Sequence, residues 1–399
     1  MSSIAGAREP ARASLVNDPK VRGIVYQVVL VVVVTVLIYM AATNAIENLR
    51  AAKIASGFGF LQSTSGFDVS QALIPYSATS TYGRAFLVGL LNTLLVAAIG
   101  VVLATFLGFF MGVARLSSNW IVARVATVYV ELVRNIPLLL QLLFWYIAVL
   151  RALPEPRSSL AVGTGVFLNN RGLYVPKPLP ASDSWVVGAA LVIGIVAAIA
   201  FAIYARRKQL ATGQQSPVLL ASVGFVIGLP ILAWTLLALI GMNPIPFEVP
   251  EQTRFNLRGG LQVFPELVAL TLGLTIYTAA FIAEIVRAGI LAVSKGQTEA
   301  AHALGLRQGP TLNLVVIPQA MRVIIPPLTS QYLNLTKNSS LAVVIGYPDL
   351  VQVFMGTVLN QTGQAIECVA ITMAVYLTIS IATSTFMNAY NRRMALIER

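Results

Sequence analysis

Residues 24–42 read IVYQVVLVVVVTVLIYMAA, without a charged side chain, and runs of this kind recur along the whole chain. A bilayer core about 30 Å thick is crossed by roughly 20 apolar residues at about 1.5 Å rise per residue, so each such run is a candidate span. Eight are found, near 24–42, 86–114, 132–150, 185–205, 218–241, 265–286, 324–346 and 366–389. In lipid the backbone N–H and C=O groups have no water to bond, and a helix satisfies them within one segment. The expectation is an all-α polytopic membrane protein of about eight transmembrane helices, multi-pass in a lipid bilayer.

Composition narrows the chemistry. Hydrophobic residues make up 57% of the chain and charged residues 11%, outside the range of soluble domains. A single cysteine, Cys368, and a single histidine, His302, exclude an intrachain disulfide and a Cys/His metal cluster, so no metal site is expected. The net charge of +12 comes from basic residues scattered through short loops without interleaved aromatics, which argues against nucleic acid.

Those basic residues instead order the topology. With a cytoplasmic N-terminus, seventeen Lys and Arg fall inside and nine outside, with Lys337 within a span, and the outside loops are the longer ones. Both termini are therefore expected in the cytoplasm. The first run follows Arg8, Arg12, Lys20 and Arg22 but exceeds the length of a signal-peptide core, so it is read as an uncleaved anchor.

The chain divides unevenly. Residues 1–85 hold the N-terminus, the first span and an outside loop, and 86–150 hold two core spans. Residues 151–264 look inserted: two proline-rich outside segments flank a helical pair joined by the basic turn ARRKQLATGQQS. Residues 265–399 supply three further core spans and a cytoplasmic segment, 294–322. Without the first span and the insert, five spans remain, and no internal repeat is evident.

The segment 294–322 contains EAAHALGLR, a small polar stretch between long apolar runs. Thr298 is placed as an N-cap, Glu299 suits the positive end of the helix dipole, and Gly305 offers the left-handed residue that ends a short helix. About two turns of helix are too few to be stable alone in water, so a partner's groove or an ordinary connecting loop are the two readings. Pro310 fits the first turn of a following helix, and Pro318 is expected to limit its length.

The run EAAHALGLRQGPTLNLVVIPQAM resembles the EAA loop of permease subunits in bacterial ABC importers, with Glu299, Ala300, Ala301, Gly305 and Pro318 at the matching spacing. FLVGLLNTLLVAAIGVVLATFLGFFMGVARLS, YVELVRNIPLLLQLLFWY, ALTLGLTIYTAAFIAEIVRAGI and SQYLNLTKNSSLAVVIGYPDL resemble successive core spans of the polar amino acid branch. The first span and the insert are similar to the longer permease of general L-amino acid or glutamate/glutamine/aspartate/asparagine uptake systems. The resemblance implies a five-helix type I importer core working by alternating access, in a bacterial inner membrane. Its implied partners are a second homologous permease, two cytoplasmic ATPase subunits and a periplasmic amino acid binding protein. No G-x-x-x-x-G-K-[ST] loop occurs, so ATP and magnesium would sit on the partner ATPase; this chain is expected to bind no cofactor and to be no enzyme. By analogy Gln297, Glu299, Ala300, Ala301, Gly305 and Leu306 carry the contact to the ATPase.

Other candidates come from polar groups at membrane depth, which are costly and mark pathways or helix contacts. Asn334, Thr336, Lys337, Asn338, Ser339 and Ser340 form one polar run in the seventh span, where a broken or water-lined segment is expected. Lys337 either meets a substrate carboxylate or holds the bundle through backbone carbonyls, and Gln141 bonds either a passing substrate or another helix. Glu131 with Arg134, and Glu284 with Arg287, have the i,i+3 spacing of same-face ion pairs, as a gate or as anchors of helix ends. The alternative function is an ion-gradient-driven carrier or channel, which would normally place a carboxylate deep within a span, and none is clearly there.

Overall fold

The computed structural model describes residues 19–51, 57–214, 216–253 and 256–394; Arg8, Arg12, Lys53, Arg254 and Arg399, on which part of the charge argument rests, lie outside these. The helices in chain order are α1 (Pro19–Ala51), α2 (Tyr82–Ala114), α3 (Trp120–Asn135), α4 (Leu138–Leu143), α5 (Ser184–Thr212), α6 (Val218–Val223) and α7 (Leu229–Leu239). Then follow α8 (Pro265–Leu291), α9 (Lys295–Ala303), α10 (Gln308–Thr311), α11 (Ile317–Asn338), α12 (Leu359–Thr362) and α13 (Ala365–Met394). Among the described residues seven helices are long and apolar enough to cross a membrane, or eight if a bent pair counts as one span.

The heart of the bundle is α2 against α8. Buried positions of α2, among them Ala85, Val88, Asn92, Val96, Ala104, Gly108 and Gly112, recur at three- and four-residue steps, which puts them on one helical stripe. A Cβ on Gly108 would stand 2.5 Å from the Cβ of Ile282, and one on Gly112 would stand 2.7 Å from the Ala283 carbonyl oxygen. The partner number rises with the α2 number, so the two helices run parallel. Small residues at such a seam let two backbones approach closely where lipid offers no hydrophobic contrast. Helix α11 completes the core, with Leu335 against Gly100 and Ile324 against Gly289.

Two expectations are corrected. The third run, 132–150, is not one straight helix: α3 and the segment Leu138–Leu150 meet at 106°. Pro137 between them has no N–H, and it pushes Ile136 to extended dihedrals (φ −99°, ψ 127°), so α3 stops there. Pro318 does not end its helix. A π-helical segment, Leu312–Val316, joins α10 to α11, and Pro318 lies in the first turn of α11, where a missing N–H costs little once the preceding turn is wound wider. The seventh span does change character where the polar run ends: α11 gives way to the 3-10 segment Ser339–Val344.

The insert holds the expected helical pair, and its two proline-rich segments add short strands. Among its described residues lie eight short strands: β1 (Leu160–Ala161), β2 (Phe167–Asn169), β3 (Gly172–Val175), β4 (Lys177–Pro178), β5 (Phe247–Glu248), β6 (Glu251–Gln252), β7 (Leu257–Arg258) and β8 (Leu261–Val263). The order β1-β2-β3-β8 forms one antiparallel sheet, with Leu173 opposite Val263 and Val175 opposite Leu261. Strand β4 pairs with β5, so the two proline-rich segments build one lobe. Between them α5 packs on the α6–α7 helix, and a side chain at Gly194 would collide with the Phe225 carbonyl.

Behind the polar run, Asp349 is fully buried; its Oδ1 accepts from the Gln352 N–H at 2.8 Å, at the start of the helical turn that leads into the π-helical segment Gln352–Val358 and α12. Asn92 Nδ2 donates to the Gln71 and Pro348 carbonyls, both at 2.9 Å, tying α2 to that turn.

Candidate functional site

The short helix of the EAA stretch is present. It starts earlier than the sequence suggests: Ser294, at φ −62° and ψ 141°, is the N-cap, and Thr298 lies inside α9. Only Ala292 to Ser294 separate it from the end of α8, so the preceding span fixes where the helix can begin. Its end is a Schellman motif. The Leu306 N–H donates to the Ala301 carbonyl at 3.1 Å and the Gly305 N–H to the His302 carbonyl at 2.9 Å, with Gly305 at φ +79°. Gly305 and Leu306 thus close the carbonyl end of the helix.

Burial sorts the motif residues. Ala301 is buried, while Gln297, Glu299, Ala300 and His302 are exposed. Gln319 of α11 donates through Nε2 to Gln297 Oε1 at 3.2 Å, which links α9 to the next core helix. Leu304, which the sequence reading passed over, is 83% exposed. A leucine at a helix end off the buried stripe was its signal. One face of α9 therefore rests on its own chain, and the other presents Glu299, Ala300 and Leu304 outward.

The charged residues at the same end form a cluster rather than two pairs. Glu284 and Arg287 do pair along α8, Arg287 Nη2 to Glu284 Oε1 at 2.7 Å. Glu131 and Arg134 do not pair with each other. Glu131 meets Arg115 at 3.6 Å, Arg134 Nη1 lies 3.9 Å from Glu284 Oε2, and Arg115 Nη1 donates to Glu284 Oε2. The Arg134 guanidinium also sits 5.1 Å from the centre of the Phe281 ring. The i,i+3 geometry is overridden because the end of α2 brings Arg115 between α3 and α8. Glu284 is seven residues before the end of α8, so the cluster lies about 10 Å along the helix axis from that end.

The pathway candidates are not gathered into one site. Gln141, in α4, donates through Nε2 to the Val133 and Ile136 carbonyls, both at 2.9 Å, which holds the Pro137 bend. Its side chain also lines an apolar cleft of about 380 Å³ beside Trp145. Ser339 is fully buried and its hydroxyl folds back onto the Thr336 carbonyl at 2.8 Å. Asn334 and Lys337 are exposed, without a side-chain hydrogen bond within the described residues, and Asn338 is half-buried. No hydrogen bond joins Gln141 to the polar run.

At the opposite end, Arg151 follows the π-helical segment Phe144–Leu150 and donates through Nη2 to the Tyr146 hydroxyl at 3.0 Å; that hydroxyl donates to Glu266 Oε1 at 2.8 Å. The bond to Tyr146 holds the Arg151 guanidinium above its ordinary pKa, and the Glu266 carboxylate acts in the same direction.

Relatives match the chain by sequence over nearly its full length. The chain is 52% identical over 386 residues to the general L-amino acid transport system permease protein AapQ of Rhizobium johnstonii, covering 97% of this chain and 95% of the relative. It is 51% identical to the putative amino-acid ABC transporter permease protein YhdX of Escherichia coli, covering 96% of each. It is 42% identical to the glutamate/glutamine/aspartate/asparagine transport system permease protein BztB of Rhodobacter capsulatus, covering 98% of this chain and 99% of that one. Residues 104–396, which begin within α2 and take in the insert, α8, α9 and α11, match the pattern of binding-protein-dependent transport system inner membrane components, and the chain belongs to that family.

Proposed function

We propose that this chain is the permease subunit of an ATP-driven importer that moves polar L-amino acids across the inner membrane by alternating access. The observation that carries the reading is the exposed face of α9, with Glu299, Ala300 and Leu304 presented beyond the bundle on a helix too short to stand alone. The names of the three full-length relatives support amino acids as cargo.

In this reading α9 seats in a groove of a cytoplasmic ATPase that holds ATP and magnesium. Movement of that groove passes to α8 through the three-residue link and to α11 through the Gln297–Gln319 contact. The Arg115–Glu284 cluster makes the coupling ends of α2, α3 and α8 move together. A second permease completes the pathway, and a periplasmic binding protein delivers the cargo to the lobe side. Gln141, Asn334, Lys337, Asn338 and Ser339 remain the pathway candidates, with Asn334 and Lys337 available to a second permease or to cargo. The excess of Lys and Arg in the loops assigned to the inside supports a cytoplasmic position for both termini.

The test is uptake into vesicles holding the chain with its second permease and ATPase. Accumulation of amino acid only with ATP inside the ATPase compartment and binding protein on the lobe side is expected, and a competition panel of amino acids then gives the cargo. Uptake by the isolated chain under an ion gradient alone would replace this reading with a secondary carrier.

A further inference from the structure

An open polar cleft of about 500 Å³ lies where the β-lobe of the insert meets the bundle, lined by Arg151, Asn170, Arg171, Gln262, Glu266 and Gly346 among others. Its volume falls within the usual range of small-molecule sites, about 300–1,000 Å³. Two arginines and a glutamate line it, yet no ion pair joins Arg151 or Arg171 to Glu266 among the described residues. Arg151 reaches Glu266 through the Tyr146 hydroxyl, whereas Arg171 and Glu266 share the cleft unjoined and so offer opposite charges to a group that carries both signs.

Each charge is held from behind. The turn between β2 and β3 carries Arg171, whose N–H donates to Asn169 Oδ1 at 2.8 Å and whose carbonyl accepts from Gln262 Nε2 at 2.8 Å. Asn169 is fully buried and Gln262 belongs to β8, so the backbone of Arg171 is clamped from both sides of the sheet. The Arg171 guanidinium itself makes no hydrogen bond or ion pair within the described residues. Glu266, in the first turn of α8, is oriented through one oxygen by the Tyr146 hydroxyl, which Arg151 in turn orients. Gly346 places the cleft two residues beyond the 3-10 segment Ser339–Val344 that follows the polar run.

We propose that this cleft is a vestibule that binds the free α-amino acid by its zwitterionic head, the α-carboxylate on Arg171 and the α-ammonium on Glu266, before the cargo enters the bundle. A planar guanidinium grips a carboxylate through two parallel N–H donors, and a carboxylate accepts from an ammonium, so the two anchors read the part that every α-amino acid shares. The remaining volume accepts varied side chains. The site rests on the amino acid reading of the transport function and adds a receiving station to it. An acidic side chain of a docking protein would use the arginines but leave Glu266 unmatched.

The experiment uses the full permease–ATPase complex in nanodiscs without binding protein, with L-glutamine as the probe and saturation-transfer NMR as the readout. Binding is expected for L-glutamine and at least tenfold weaker binding for N-acetyl-L-glutamine, which lacks the ammonium. Arg171→Ala and Glu266→Gln each weaken L-glutamine binding at least fivefold, and Arg171→Lys recovers part of it. Arg171 is exposed on the lobe, so its variants test the site even where Glu266→Gln lowers stability. Unchanged L-glutamine binding in the Arg171 variants, or equal binding of the N-acetyl compound, overturns the vestibule. If the wild-type complex with ATP and binding protein accumulates no amino acid, the transport reading fails. Normal accumulation with unaltered binding in the variants removes the vestibule alone.

Discussion

Arg115, one residue beyond α2, donates through Nη1 to Glu284 of α8, 169 positions later in the chain. The Arg115 side chain is 9% exposed, and Glu284 is also the partner of Arg287 and Arg134. Glu284→Gln leaves three guanidinium groups with only Glu131 as counter-charge, and a loss of about 1–3 kcal/mol is expected, the cost of stranding a partly buried charged donor. Glu131 is 59% exposed, so Glu131→Gln is expected to change stability by no more than about 0.5 kcal/mol. Thermal unfolding of the purified protein in detergent compares the two, and equal effects would show that the cluster is not centred on Glu284.

Gly112 faces backbone rather than the flexible end of a side chain. Its Cβ would meet the Ala283 carbonyl oxygen at 2.7 Å and the Val286 Cβ at 2.7 Å. Gly112→Leu is expected to force α2 from α8 at a cost of about 1–3 kcal/mol or more, read as a lower midpoint of thermal unfolding. The same replacement at Phe106, 74% exposed on the same helix, leaves the midpoint unchanged.

Gln141 serves the carbonyl end of α3 across the Pro137 bend. Gln141→Leu keeps the volume and removes the donors, which strands two carbonyls and is expected to cost about 1–3 kcal/mol. Gln141→His retains a donor and should recover part of that loss. If both variants unfold like the native protein while transport falls, Gln141 acts on the cargo instead.

Gly305 needs a left-handed backbone but has no neighbour within 4 Å of a Cβ added to it. Conformation alone therefore sets the outcome: Gly305→Ala is expected to cost about 1 kcal/mol locally, and Gly305→Asn less, because asparagine tolerates that region. In reconstituted complexes ATP-driven uptake should fall several-fold for the alanine variant and less for the asparagine variant, with the binding protein's affinity for amino acid unaltered. The opposite ranking would mean that α9 does not couple through its shape.

The spans were legible because a run of about 20 apolar residues is a length signal that needs no knowledge of neighbours. The bend at 106° was written in Asn135–Ile136–Pro137, but the apolar run continues through it, and length counting smoothed it over. Pro318 misled in the other direction, since a wider helical turn before it absorbs the missing donor. The EAA helix was recognisable from spacing, whereas its true start depends on where α8 stops. Arg115 counted only as a loop charge, because nothing local reveals a partner 169 positions away. The strands of the insert are two to four residues long, and Gln262 bonds Arg171 across 91 positions, so no periodic pattern announces them.

The register of β3 against β8 gives the insert a doorway. Val175 stands opposite Leu261, and Lys177 opposite Glu248, so the chain leaves for the helical pair and comes back from it side by side. A segment whose two ends already touch can be lost or gained without tearing the scaffold beneath it. A hairpin of two residues joining Val175 to Leu261 would seal the gap, which makes the α5–α7 pair a detachable passenger on the bundle, open to replacement while α2, α8 and α11 stay as they are.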